Sequence, residues 1–145
     1  MSRFLKLITF ICFSVFFSNV VQSKENFFDE ALKMFENKKY DEAKFMLERN
    51  IVFNPKDAKS YLYLARIYNH EKDQRKEEYN LETALLIEPN NEEVILMIMK
   101  IALEKSNYSK VKDLSKTFIK VCNKLCSEND QIQKTLKNIE PKNES

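Results

Sequence analysis

Cys122, Cys126 and His70 are the side chains of this chain with the most evident chemistry. Two thiols four residues apart can close a disulfide, stay as free structural thiols, or cycle as a redox pair. An unbroken helix opposes the bridge, because residues four apart hold their Cβ atoms about 5–6 Å apart where a disulfide needs roughly 3.5–4.5 Å. A bridge therefore requires a chain break near Asn123 and Lys124. The two-residue gap typical of thiol oxidoreductases is missing. His70 stands between Asn69 and Glu71; acid–base work is conceivable there, and a solvated histidine at a helix end is the commoner outcome. A lone histidine leaves no His pair for a metal. The 145 residues include no Gly, which excludes a phosphate-cradling loop, a dinucleotide fingerprint and a nucleophile elbow, since each needs close backbone approach or a sharp turn. No catalytic residue, metal or cofactor is expected.

The elements that must position these groups begin with a segment of different character. In residues 1–23, Arg3 and Lys6 precede an uncharged apolar run from Leu7 to Val21, which ends in Gln22 and Ser23. This reads as a bacterial-type signal peptide cleaved after Ser23, with retention as an inner-membrane anchor as the alternative. The run is shorter than the ~20 residues of a spanning helix. Cys12 lacks the preceding small residues of a lipidation site. Cleavage would remove Arg3 and Lys6 and leave 22 basic residues against 22 acidic ones. That balance argues against nucleic acid and anionic membrane as partners, with membrane contact only if the segment is retained.

From residue 24 onward the chain repeats with a period of 34. Pro55 and Pro89 close the similar phrases NIVFNPKD and ALLIEPNN. Setting the prolines in register gives copies at 24–57, 58–91 and 92–125. Phe27, Tyr61 and Ile95 then match, as do Ala31, Ala65 and Met99, and Met34, Tyr68 and Ala102. Within copy one, Phe27, Glu30, Ala31 and Met34 mark a helical face, a break follows at 37–39, and a second amphipathic stretch runs from Tyr40 to Phe53. Asp57 and Asp73 are expected N-caps, and the prolines fall between units, where a missing N–H does least harm. Each buried apolar side chain contributes about 1.5–3 kcal/mol against about 0–1 for an exposed ion pair, so packing is expected to hold the helix pairs together. Residues 126–140 read as a capping helix with Ile132, Leu136 and Ile139 on its dry stripe and Ser127 with Asp130 as a capping box. Residues 141–145 read as a loose tail.

The 34-residue beat with its terminal proline resembles the tetratricopeptide repeat family across essentially all of residues 24–125. Departures are Met99 and Glu77, where small residues are usual, and Asn123 in place of a third proline. The resemblance implies an all-α fold, an α-solenoid of three helix-turn-helix pairs plus a closing helix. It further implies a concave groove lined by the first helix of each pair, holding a peptide or a partner helix. Carried over by spacing, the groove residues are Phe28, Leu32 and Phe35, then Leu62, Arg66 and Asn69, then Leu96, Lys100 and Leu103. Phe28 and Leu32 stand where one branch of the family places the basic and Asn residues of a carboxylate clamp, which sets a chaperone-tail ligand aside. Arg66 and Lys100 would be basic anchors in an otherwise apolar groove, suited to an amphipathic segment or a peptide carrying a carboxylate.

Two other readings compete. Phe and Leu at helical spacing are more often core than contact, so several groove residues are candidates for burial. The run Val94–Met99 is apolar on every side, which demands either neighbours all round or self-association through copy three. The functional expectation is a non-enzymatic adaptor of the bacterial cell envelope, exported to the periplasm, that binds a protein or peptide in its groove. A membrane-tethered assembly factor and a thiol-containing accessory protein are the rivals.

Overall fold

The computed structural model describes residues 26–139. The expected signal segment 1–23 and the tail 141–145 lie outside the described residues, as does the last residue of the capping segment. The described chain forms seven helices: α1 (Phe27–Glu36), α2 (Tyr40–Phe53), α3 (Ala58–Glu71), α4 (Gln74–Ile87), α5 (Glu92–Glu104), α6 (Tyr108–Val121) and α7 (Cys126–Ile139). They make an all-α solenoid of three antiparallel pairs and a closing helix.

Short polar side chains start these helices. Asn26, Asp73, Asn91 and Asn107 accept from the backbone N–H of Asp29, Lys76, Val94 and Lys110 respectively, satisfying donors that have no partner inside the helix. Asp57 departs from its expected part. It occupies the N-cap position of α3, yet its carboxylate accepts from no backbone N–H there. Asp57 Oδ2 accepts instead from Ser60 Oγ at 2.6 Å and Asn50 Nδ2 at 2.8 Å, and Asn50 Nδ2 also donates to Ser60 Oγ at 2.8 Å. Asn50 and Ser60 are both buried, so the carboxylate is worth more to them than to a helix end that water can reach. Ser127 departs too, lying inside the first turn of α7 rather than ahead of it.

The turns repeat with the sequence. Lys38, Lys72 and Ser106 stand at the same place in successive copies and have φ of 60°, 62° and 56°. At each, the following N–H reaches back across the turn: Lys39 to the Met34 carbonyl, Asp73 to Tyr68 and Asn107 to Ala102. This is the six-to-one bond of a left-handed helix stop, normally a glycine position. A chain without glycine carries Cβ strain at all three. Between pairs the helices end differently, with the N–H of Asn54, Glu88 and Cys122 bonding the carbonyls of Asn50, Ala84 and Phe118.

Packing follows the small residues. Ala31, Ala43, Ala65 and Ala84 are fully buried, which lets α1 approach α2 and α3 approach α4. α5 buries seven residues, Val94, Ile95, Leu96, Ile98, Met99, Ile101 and Ala102, so its all-round apolar character is satisfied inside this chain. Of the two expected outcomes for this run, neighbours within the chain account for most of it, and Met97 stays half-buried. The third-copy Met99 is itself fully buried. Glu77, in a small-residue position, is buried against α3, and Asn69 Nδ2 donates to its Oε1 at 3.0 Å. Burial pushes the Glu77 pKa up; the Asn69 hydrogen bond partly offsets this, and Glu104 and Glu78 add to it.

Ion pairs set register along the array. Lys44 on α2 pairs with Glu71 at the end of α3, and Glu78 on α4 pairs with Lys105 just beyond α5. Glu78 and Lys105 occupy, one copy later, the places of Lys44 and Glu71, so the same contact recurs with its charges exchanged. Pairing out of step would set like charges against each other.

Candidate functional site

The first helices touch one another through side chains along one face of the solenoid. Between α1 and α3, Tyr63 is the hub. Its ring meets Phe28 edge-on with centroids 5.6 Å apart and Phe35 edge-on at 5.0 Å. Phe35 also meets Tyr40 at 5.6 Å, and Tyr40 meets the His70 ring at 4.4 Å. Edge-to-face pairs of this kind orient the rings beyond what burial alone does. Phe28, Leu32, Phe35 and Tyr63 are only half-buried, so an aromatic and aliphatic strip stays open to a ligand. His70 is exposed at the end of α3.

The basic groove residues are already engaged. The Arg66 guanidinium lies over the Tyr63 ring at 4.5 Å, and its Nε donates to Glu93 Oε1 at 3.0 Å. Burial lowers the Arg66 pKa, and the Glu93 carboxylate, with Tyr63 adding to it, more than reverses that, leaving it above its usual value. Lys100 pairs with Glu128 of α7 at 3.1 Å. The two contacts have nearly the same spacing, 27 and 28 residues, and tie α3 to α5 and α5 to α7. Neither cation stands as an unpaired anchor for a peptide carboxylate. Their acids could have been found in the sequence by looking for opposite charges at this spacing, a little under one repeat.

Two of the other expected groove residues are core. Leu62 and Leu96 are 5% and 6% exposed, because Leu62 packs in the cluster that joins its pair to α5 and Leu96 in the cluster that joins its pair to α7. Asn69 is exposed, with its amide donating to Glu77, and Leu103 is half-buried against the α5–α6–α7 cluster. Phe28, Leu32 and Phe35 form the open aromatic and aliphatic strip with Tyr63, a residue that spacing from the family groove passes over. A cleft of about 680 Å³ adjoins it at the first inter-pair turn, lined by Asn26, Phe28, Phe53, Pro55, Lys56 and Lys59 among others. On the outer helices, Phe45 and Val52 of α2 are exposed, and so are Tyr79 and Leu86 at the matching places of α4.

At the other end of the array Cys122 and Cys126 form a disulfide, with Cα atoms 5.2 Å apart. The chain leaves helix between them, as bridge geometry demands of residues so close in sequence. The Glu92 carboxylate closes the same turn from α5, accepting from the backbone N–H of Asn123 at 2.6 Å, Lys124 at 3.1 Å and Leu125 at 3.3 Å. These bonds, led by that from Asn123, hold the Glu92 carboxyl below the usual carboxylate range. Glu92 supplies from α5 the carboxylate that the expected capping box would have drawn from within α7. Among the described residues no cluster of His, Cys, Asp and Glu is arranged to hold a metal.

This arrangement of paired helices is the fold of tetratricopeptide repeat proteins. No family model matches the chain, and no curated protein matches it. Solved structures do. The chain is similar to the tetratricopeptide repeat domain of Sgt2 from Aspergillus fumigatus, with a TM-score of 0.65 at 12% identity over 83% of this chain and 86% of that one. It is similar to the Yersinia enterocolitica type III secretion chaperone SycD, solved with a peptide of the translocator YopD, with a TM-score of 0.67 at 12% identity over 84% and 95%. A third likeness is to a CopN–Scc3 complex chain, with a TM-score of 0.61 at 10% identity over 86% and 74%.

Proposed function

We propose that this protein is a non-enzymatic interaction adaptor that captures an apolar peptide or amphipathic helix against the strip formed by Phe28, Leu32, Phe35 and Tyr63. The observation that carries this reading is the open aromatic strip between α1 and α3, where Phe28, Phe35 and Tyr63 hold one another edge-on and stay half-exposed. A ligand there gains by covering half-exposed rings, and the engaged Arg66 and Lys100 favour apolar anchors over a carboxylate. The SycD structure, solved with a translocator peptide, lends the reading a precedent in the same fold.

The setting we propose is the bacterial cell envelope, after cleavage of residues 1–23. The disulfide supports it, because such bonds persist in oxidising compartments. N-terminal sequencing of the protein recovered from a bacterial host tests this: Lys24 at the start means release, and an intact Met1 or Ser2 means tethering.

The strip is tested by titrating labelled amphipathic peptides drawn from envelope proteins. A Leu32→Asp variant with an unchanged circular dichroism spectrum is expected to lose about tenfold or more in affinity. Leu86→Ser, on the outer helices, should bind as the parent does. Equal affinity in folded Leu32→Asp and parent protein sinks the proposed face.

A further inference from the structure

The closing helix is held in a way the rest of the array is not. α7 buries Asn129, Ile132 and Leu136, as few as α2 and α6 bury, but it has neighbouring helices on one side only. Its remaining ties are polar or covalent. Ser115 Oγ donates to Asn129 Oδ1 at 2.7 Å, Gln133 Nε2 donates to Ser115 Oγ at 3.0 Å, and Lys100 pairs with Glu128. The turn into α7 is fixed from two sides: the disulfide ties 122 to 126, and Glu92 takes the three backbone N–H groups between them. Three successive N–H groups converge on one carboxylate only while the loop stays tight, so the bond and the carboxylate act on the same three residues.

We propose that this disulfide is a thiol-exchange site, and that its reduction by a dithiol releases α7 from the end of the array. Cys126 is exposed and Cys122 half-buried, so the Cys126 sulfur is the point of attack. A thiolate of the dithiol forms a mixed disulfide there, and Cys122 leaves as a thiolate that takes up a proton. The second thiol of the dithiol, once deprotonated, then displaces Cys126 as its thiolate, which is protonated in turn. The protein gains two electrons and two protons, and the dithiol becomes its own disulfide. With the tie open, the loop loses the convergence that Glu92 needs, and α7 is left with two apolar side chains and its polar contacts. Its departure uncovers the apolar side chains that Ile132 and Leu136 cover, in the cluster that includes Leu96, Val111 and Phe118. Oxidation thereby closes the solenoid's end, and reduction opens a second apolar surface remote from the aromatic strip. The exchange is independent of what that strip binds.

The test is amide hydrogen exchange on the full chain, before and after treatment with dithiothreitol, with alkylation of the 122–126 peptide verifying reduction. Amides of residues 126–139 should exchange about tenfold faster or more on reduction, with those of α3 unchanged. A double variant, Cys122→Ser with Cys126→Ser, should show the fast rates with or without the reductant. Glu92→Ala, its disulfide intact, should be reduced several-fold faster than the parent. Unaltered exchange over 126–139 after verified reduction overturns the proposal. So does an equal rise in α3, which means global unfolding, and so does failure of the reductant to open the bond without denaturant.

Discussion

The middle of the array and its closing end solve the same problem with different interactions. In the middle, α3 and α5 have helices on both sides and bury seven residues each, so packing carries most of what fixes them, with the Arg66–Glu93 pair added to it. At the end, α7 has the array on one side and water on the other, and it buries three. α2 and α6 bury three residues too, but each has a helix on both sides. At α7 a disulfide, a carboxylate bridging three N–H groups, an ion pair and a buried polar network stand where a further neighbour would. A solenoid stabilised by neighbours is weakest where neighbours stop, and this chain places its covalent tie at that point.

The sharpest way to break this comparison is to remove one leucine from each region. Leu81→Ala, at a fully buried site in α4, should cost about 2–5 kcal/mol in urea denaturation and unfold the whole array less cooperatively or earlier. Leu136→Ala in α7 should cost at the low end of that range, about 2 kcal/mol, with loosening confined to the closing end by hydrogen exchange. Equal, global effects at both sites contradict the division drawn here. A smaller effect, of opposite sign, tests the strained turns. Lys72→Gly should relieve a left-handed cost of about 1–2 kcal/mol, less the extra chain entropy of glycine, and so stabilise by about 0.5–1 kcal/mol in thermal melts. The smallest effect concerns the exchanged ion pairs. Glu71→Lys should cost about 0.2–1 kcal/mol, and adding Lys44→Glu should restore most of it, since the same geometry already accepts reversed charges at Glu78 and Lys105.

Much of the fold was legible in the residues because it rests on local periodicity. Apolar residues at helical spacing, prolines at 55 and 89 and the break at 37–39 are each set by a few neighbouring positions, and the helices observed over 27–36 and 40–53 follow from them. Met99 was legible only as a departure, and its burial shows that the third copy takes a larger side chain at a small-residue position. The candidate site was less legible. Spacing placed Leu62 and Leu96 in a groove, and the structure buries them, because a residue's face on a helix does not say how closely the next pair leans on it. Tyr63 was missed as the hub of the strip because its contacts, Phe28 and Phe35, lie on another helix.

The order of residues is enough to make the chain helical, to set its helices in pairs of fixed period, and to require a break in the helix for any bridge between Cys122 and Cys126. These depend on steric and hydrophobic preferences that act within a turn or two of chain. The packing of distant helices is what pairs Arg66 and Lys100 with Glu93 and Glu128, gives Asp57 to Ser60 and Asn50 rather than to a helix end, and brings Glu92 across 31 residues of chain to close the last turn. Those choices are made between groups far apart in sequence, and a carboxylate goes to whichever donors the packed helices bring within hydrogen-bonding reach.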